Sequence, residues 1–133
     1  MLDIAIIGGG PGGMSAARHL AGGGWSVTVF EEHSQVGMPV HCTGVLAEDV
    51  VRNLSVSADV VLNGLSTVRF VAPAGHSFDY TTTTTEAVVI DREAFDRALA
   101  ERAAAAGAEV VRGRRVIGVE TVPNGVQVTF ANA

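Results

Sequence analysis

Residues 3–13 read DIAIIGGGPGG, and the junction between the apolar run and the glycines decides the fold. Leu2–Gly8 is almost continuously apolar and ends in glycine, as a strand buried in a parallel sheet does. Proline suits the first turn of a helix, where its missing N–H costs nothing. From Pro11 to about Ala21 the spacing predicts a helix, with Met14, Ala17 and Leu20 near one face and Gly22–Gly24 stopping it. Trp25–Phe30 then predicts a second strand, closed by Glu31 and Glu32. The whole reads as a compact βαβ unit.

Gly8, Gly10 and Gly13 fill the pattern G-x-G-x-x-G between strand and helix, with Pro11 and Gly12 inside it. The first glycine permits the tight turn, the second lets the backbone approach a pyrophosphate, and the third lets the helix lie close to the sheet. Phosphates are favoured at a helix N-terminus by its free N–H groups and its dipole. Glu31 follows Gly13 by 18 positions. An acid at about 20 residues accepts the adenosine ribose hydroxyls. It also repels a 2′-phosphate, which argues against NADP here. Glu32 is the second choice for this role. The bland alternative is a glycine-rich turn in an ordinary α/β domain, with Glu31 solvated. The glycines do not separate FAD from NAD, because both use this turn.

The remaining chain is consistent with one domain. Its 133 residues are 47% hydrophobic, enough for a core. A net charge of −5 argues against a broad basic face for nucleic acid or anionic lipid. The single cysteine forms no internal disulfide, no Cys/His spacing suits a metal, and a reduced, cytoplasmic setting is expected. His19, His33 and His76 are scattered. The start has no signal-peptide pattern, and no apolar run is long enough to span a bilayer. Residues 33–44 read as a loop and Leu46–Leu54 as a short helix. Val68–Val71 and Ser77–Tyr80 flank APAG, a hairpin signal, and the threonines at 81–85 read as strand or extended connection. Val88–Ile90 is a short strand. Asp91 is a helix cap, with Phe95, Ala98, Leu99, Ala103 and Ala106 at helical spacing up to Gly107. Glu109–Val111 is a strand, and Val116–Thr121 and Val126–Phe130 flank PNG, a second hairpin signal. The RGRR run at 112–115 reads as a solvated strand end. No P-loop and no G-x-S-x-G is present.

Residues 3–44 resemble the start of the geranylgeranyl reductase family of FAD-dependent oxidoreductases, which includes archaeal digeranylgeranylglycerophospholipid reductases. Gly37, Pro39, Cys42 and Gly44 match the family's G-x-P-x-x-C-x-G loop. Asp91, Arg92, Phe95, Asp96 and Leu99 match its D-R-x-x-F-D-x-x-L helix. Glu32 departs from it, standing where a basic residue is usual. The resemblance implies the p-hydroxybenzoate-hydroxylase-type fold: a Rossmann-like FAD-binding βαβ unit with antiparallel β additions. Strands within 60–90 would belong to the start of a substrate domain. The family's later G-A-D-G segment has no counterpart, so the chain reads as an N-terminal piece that binds FAD weakly and catalyses nothing alone.

The resemblance also implies a set of cofactor contacts: Gly8, Gly10, Pro11, Gly12, Gly13, Glu31, Glu32, Gly37, Cys42, Gly44, Arg92 and Val116. Cys42 would line the flavin site beside the substrate's double bond, as proton donor or as packing. Its ordinary titration near 8.5 would leave the thiol neutral without special tuning. A Cys42–His41 pair is disfavoured, because adjacent strand-like residues point to opposite sides. Arg92 would reach the ribityl or pyrophosphate region; its alternative is a solvated pair with Asp96. The implied activity is reduction of isoprenoid double bonds, with NAD(P)H or ferredoxin as electron donor. The implied partner is a lipid or isoprenoid substrate, with peripheral membrane contact through a missing region. Rival readings are a flavoprotein monooxygenase, a relative of the electron-transfer flavoprotein–quinone oxidoreductases, or a non-catalytic nucleotide-binding fragment.

Overall fold

The computed structural model describes residues 2–55 and 57–132. The chain divides into two units, one formed by residues up to Pro39 together with those from Asp96 onward, the other by Val40–Phe95.

In the first unit, strands β1 (Ile4–Ile7), β2 (Val27–Phe30) and β8 (Glu109–Val111) form a parallel sheet in the order β1-β2-β8. Ile4 pairs with Val27, and Thr28 with Glu109. The central position of β2 explains its burial: Val27, Thr28 and Val29 are all buried. The Thr28 hydroxyl donates to Glu109 Oε2 at 3.1 Å, so the one polar side chain in the middle strand is satisfied. β1 was expected to be buried throughout, but it lies at the sheet edge and its burial alternates, with Ile7 exposed. Helix α1 (Pro11–Gly22) connects β1 to β2 and buries Met14, Ala17 and Ala21.

Both longer helices end by the same device. After α1, Gly24 has φ +92°, and the N–H groups of Gly24 and Trp25 donate to the Ala21 and Leu20 carbonyls. After α3 (Arg92–Ala105), Gly107 has φ +102°, and Gly107 and Ala108 donate to Ala104 and Ala103. A positive φ is cheap only for glycine, which is why the chain stops there. Helix α3 begins in the second unit, where the Ala94 N–H donates to Asp91 Oδ1 at 3.0 Å. It buries Phe95, Leu99 and Ala103. β9 (Val116–Val122) and β10 (Gly125–Phe130) form an antiparallel ribbon with a bulge at Thr129–Phe130.

In the second unit, β3 (Val45–Ala47), β7 (Ala87–Ile90) and β4 (Val61–Leu65) form an antiparallel sheet in the order β3-β7-β4. Its core includes Val51, Val60, Val88, Ile90 and Phe95. One expectation needs correction, and the structure adds detail to two others. The predicted helix over 46–54 is strand first: Val45–Ala47 pair with β7, and helix α2 starts only at Glu48, where Glu48 and Asp49 supply the acids a first turn favours. β4 lies within 60–90, where strands are expected, although Asn63 and Gly64 interrupt its apolar pattern; pairing with β7 overrides local propensity. Of the five threonines only Thr81 is in a strand. The Thr82 hydroxyl donates to the Thr84 carbonyl at 2.7 Å, a local bond that competes with a ladder. The hairpin of β5 (Thr67–Val71) and β6 (Ser77–Thr81) forms where the turn signal placed it.

Close approach of helix to sheet sets the first unit. A Cβ on Gly13 would stand 2.2 Å from the Gly8 carbonyl oxygen, a backbone atom that cannot turn away. Gly13→Ala is therefore expected to lower stability by roughly 1–3 kcal/mol, the usual cost of forcing extra volume into a packed site. A urea midpoint equal to that of the parent chain would contradict this approach.

Candidate functional site

The glycine turn is built on positive φ and missing side chains. Gly8 has φ +96°. Gly9 is buried, and a Cβ there would meet Glu31 Oε2 and the Met14 methyl at 3.0 Å. Gly10 and Gly12 differ: a Cβ at either meets nothing within 4 Å. The open space faces the start of α1, where Pro11 opens the helix, Gly10 offers no side-chain cap and the first turn holds no acid. Such a terminus can receive phosphate oxygens on its free N–H groups.

Glu31 stands just after β2, in register with this turn. The residue is only 9% exposed, and its carboxylate accepts three hydrogen bonds. Oε2 accepts the Gly9 N–H at 2.6 Å. Oε1 accepts the His33 backbone N–H at 2.9 Å and, with the ring proton on Nδ1, the His33 imidazole at 2.6 Å. Burial alone would push this acid up. The N–H groups of His33 and Gly9, followed by the His33 ring, outweigh burial and hold Glu31 below the usual carboxylate range.

A cleft of about 240 Å³ opens beside this carboxylate, lined by Ile7, Gly8, Phe30, Glu31, Glu32, Arg114, Arg115 and Val116. The backbone fixes this convergence, because the Glu31 N–H donates to Val111 and the Arg114 N–H donates to Glu31. Arg114 lies over the Phe130 ring at 4.6 Å, and Phe130 meets Phe30 edge-on at 4.8 Å. Glu32 does not share the position of Glu31: it is exposed and faces Arg115 Nε at 3.5 Å. The RGRR run is exposed, as a solvated strand end is, and its Arg114 and Arg115 also line this cleft.

In the second unit, Gly44 has φ +72°, and a Cβ on it would press on the Ile90 carbonyl at 2.7 Å and on Arg92 Cγ at 3.4 Å. The Gly44 N–H lies 3.5 Å from Cys42 Sγ. That N–H is the largest influence, and with the Arg92 guanidinium and Thr43 it outweighs the opposing effect of burial and holds the exposed thiol below its ordinary range. The untuned thiol expected from sequence is therefore tuned. Gly37, with φ +82°, shapes its loop in the first unit.

The structure thus gathers Gly8, Glu31, Glu32 and Val116 at one cleft, with Gly10–Gly13 at the adjoining helix start. It gathers Cys42, Gly44 and Arg92 separately within the second unit. Sequence reading missed Gly9, His33, Arg114, Arg115 and Phe130. Nothing local marks them; only the order β1-β2-β8 brings the segments 31–33 and 113–115 together. Among the described residues there is no cluster of metal-binding side chains and no helix long and apolar enough to cross a membrane.

A parallel β-α-β turn of glycines with a strand-end carboxylate defines a dinucleotide-binding protein of Rossmann-like fold. The chain belongs to the FAD dependent oxidoreductase family, whose profile matches residues 3–82. It is 34% identical over 121 residues to a digeranylgeranylglycerophospholipid reductase of Methanosarcina acetivorans, covering 88% of this chain and 30% of that protein. It is 31% identical over 122 residues to the reductase of that name from Thermoplasma acidophilum, covering 81% of this chain and 29% of that protein. The crystal structure of a geranylgeranyl bacteriochlorophyll reductase-like protein from Thermoplasma acidophilum superposes with a TM-score of 0.86 at 27% identity, over 97% of this chain and 34% of that one. The chain spans about 30% of the length of the curated relatives it matches. The family's cofactor is FAD. The uncapped helix start, the open directions at Gly10 and Gly12, and the strand-end acid fit its adenosine diphosphate half.

Because Glu31 is held below its ordinary value, its bonds stabilise the fold above about pH 4.3 and are lost as pH falls through the lowered folded value. Melting temperatures between about pH 5 and pH 2 should therefore fall more steeply for the parent chain than for Glu31→Gln. Parallel curves would show that these bonds do not favour the ionised form.

Proposed function

We propose that the protein is an FAD-dependent reductase that saturates carbon–carbon double bonds of isoprenoid chains. The observation that carries this reading is similarity along most of the chain to proteins named digeranylgeranylglycerophospholipid reductase. When bound and reduced, FAD supplies the hydride for such a reaction. The roles of this chain's own residues follow from their positions. The α1 start binds pyrophosphate oxygens, Gly10 leaves room for their approach, and Glu31 accepts ribose hydroxyls. Val116 and the adjoining wall bound the cleft on its far side. Cys42 lines the reacting region. Its tuning by the Gly44 N–H and Arg92 adjusts how readily the thiol gives up a proton, and Arg92 adds positive charge there. The substrate is a lipid or isoprenoid, and its proton comes from Cys42 or from water.

The direct test is incubation of the full-length, dithionite-reduced holoprotein with a digeranylgeranylglycerol lipid, followed by mass spectrometry. Two hydrogens should be gained per double bond; unchanged lipid with a fully reduced cofactor would refute the assignment. Two variants test the residue roles. Glu31→Ala should weaken FAD binding by about 1.5–3 kcal/mol, the worth of a hydrogen bond to a charged group, as read by quenching of flavin fluorescence. Cys42→Ser should retain FAD but change turnover or substrate affinity. Wild-type values for both would reduce Cys42 to packing.

A further inference from the structure

A carboxylate offers about four lone-pair positions. Three are taken on Glu31: Gly9 N–H on Oε2, and the His33 N–H and ring Nδ1–H on Oε1. One acceptor position remains, on Oε2. A ribose cis-diol brings two donors. Gly9 and the His33 backbone are fixed by the turn and by the loop, where Gly113 N–H donates to the His33 carbonyl at 3.0 Å. The ring is the only one of the three donors free to move, and its side chain is 45% exposed.

We propose that the His33 ring competes with the ribose hydroxyls for Glu31, and that it must leave Oε1 for the adenosine end of the cofactor to seat on both oxygens. The inference rests on the assignment of Glu31 to the ribose. It adds a residue whose ring occupies the same oxygen that the diol needs. His33→Phe removes that donor and leaves the Gly9 N–H and the backbone N–H of position 33 on the carboxylate.

The test is calorimetric titration of the full chain with ADP and with 2′,3′-dideoxy-ADP. The ratio of the two affinities isolates the diol, because both probes carry the same phosphates. His33→Phe should raise this preference roughly three- to tenfold over the parent protein. His33→Gln, which can still donate, should raise it less. A His33→Phe protein with the parent's ratio overturns the proposal, and so does one with a reduced ratio, which would show that the ring positions Glu31 instead of competing. Should His33→Phe fail to fold, a His33→Ala protein with the parent's ratio overturns it equally. Glu31→Ala separates the underlying assignment. If it leaves the diol preference intact, Glu31 is not the ribose ligand and both ideas fall. If it abolishes the preference while the His33 variants change nothing, only the competition fails.

Discussion

The bond from Gly9 N–H to Glu31 Oε2 ties the end of β1 to the end of β2, and the site around it depends on that tie. Glycine at position 9 lets the carboxylate come this close, since a Cβ would stand 3.0 Å from Oε2 and from the Met14 methyl. The tie requires the carboxylate to be ionised while almost wholly buried. A charge removed from water costs several kcal/mol unless donors replace the lost solvent. Gly9 and His33 are those donors. The same turn holds Gly13 against the Gly8 carbonyl, so the helix start and the acid cannot be moved independently. An uncapped helix terminus and a buried carboxylate are thereby held by one turn.

The far wall of the cleft follows from the same sheet. β8 pairs with β2, and the chain leaving β8 runs beside Glu31, bound through Glu31 N–H to Val111 and Arg114 N–H to Glu31. Two arginines arrive there with different duties. Arg114 spreads over Phe130, which is braced against Phe30, so its charge is set on an aromatic support. Arg115 faces Glu32 across 3.5 Å. That pair is exposed and contributes little stability, but it draws the second acid of the Glu31–Glu32 doublet toward a cation. The acid that departs from the family pattern is accommodated by a basic residue from elsewhere in the chain.

The parts legible in the sequence were those with short-range causes. The apolar run into GGGPGG, the glycine stops after α1 and α3, the Asp91 cap and both hairpin turns each declare themselves within a few residues, and each element forms. Hidden parts arise from pairing between distant segments. Val45–Ala47 carries no strand signal separate from the helix behind it until β7 supplies a partner. Asn63 and Gly64 look like a break until the same strand overrides them. His33 looked idle because its role depends on a carboxylate two residues away turning inward, and nothing in EEHS says which glutamate does so. Spacing from Gly13 favours Glu31, but the engagement of Glu32 with Arg115 needs the sheet order.

The two units place their chemistry in opposite settings. Glu31 is sheltered and its donors are local, so its state is set by the turn itself. Cys42 is exposed, and its tuning rests on one N–H and one guanidinium. A charge balanced by few groups in contact with water is easily shifted by whatever else comes near, because solvent screens each partner and new neighbours alter that screening. The β5–β6 hairpin of the same unit carries a related feature. Val68, Phe70, Phe78 and Tyr80 form its cross-strand pairs on one face and are all exposed, while Arg69 and Asp79 pair on the other. Glu31 has its donors within its own unit and little contact with water, whereas Cys42 and the hairpin face are open, so the surroundings can change the second group of residues far more than the first.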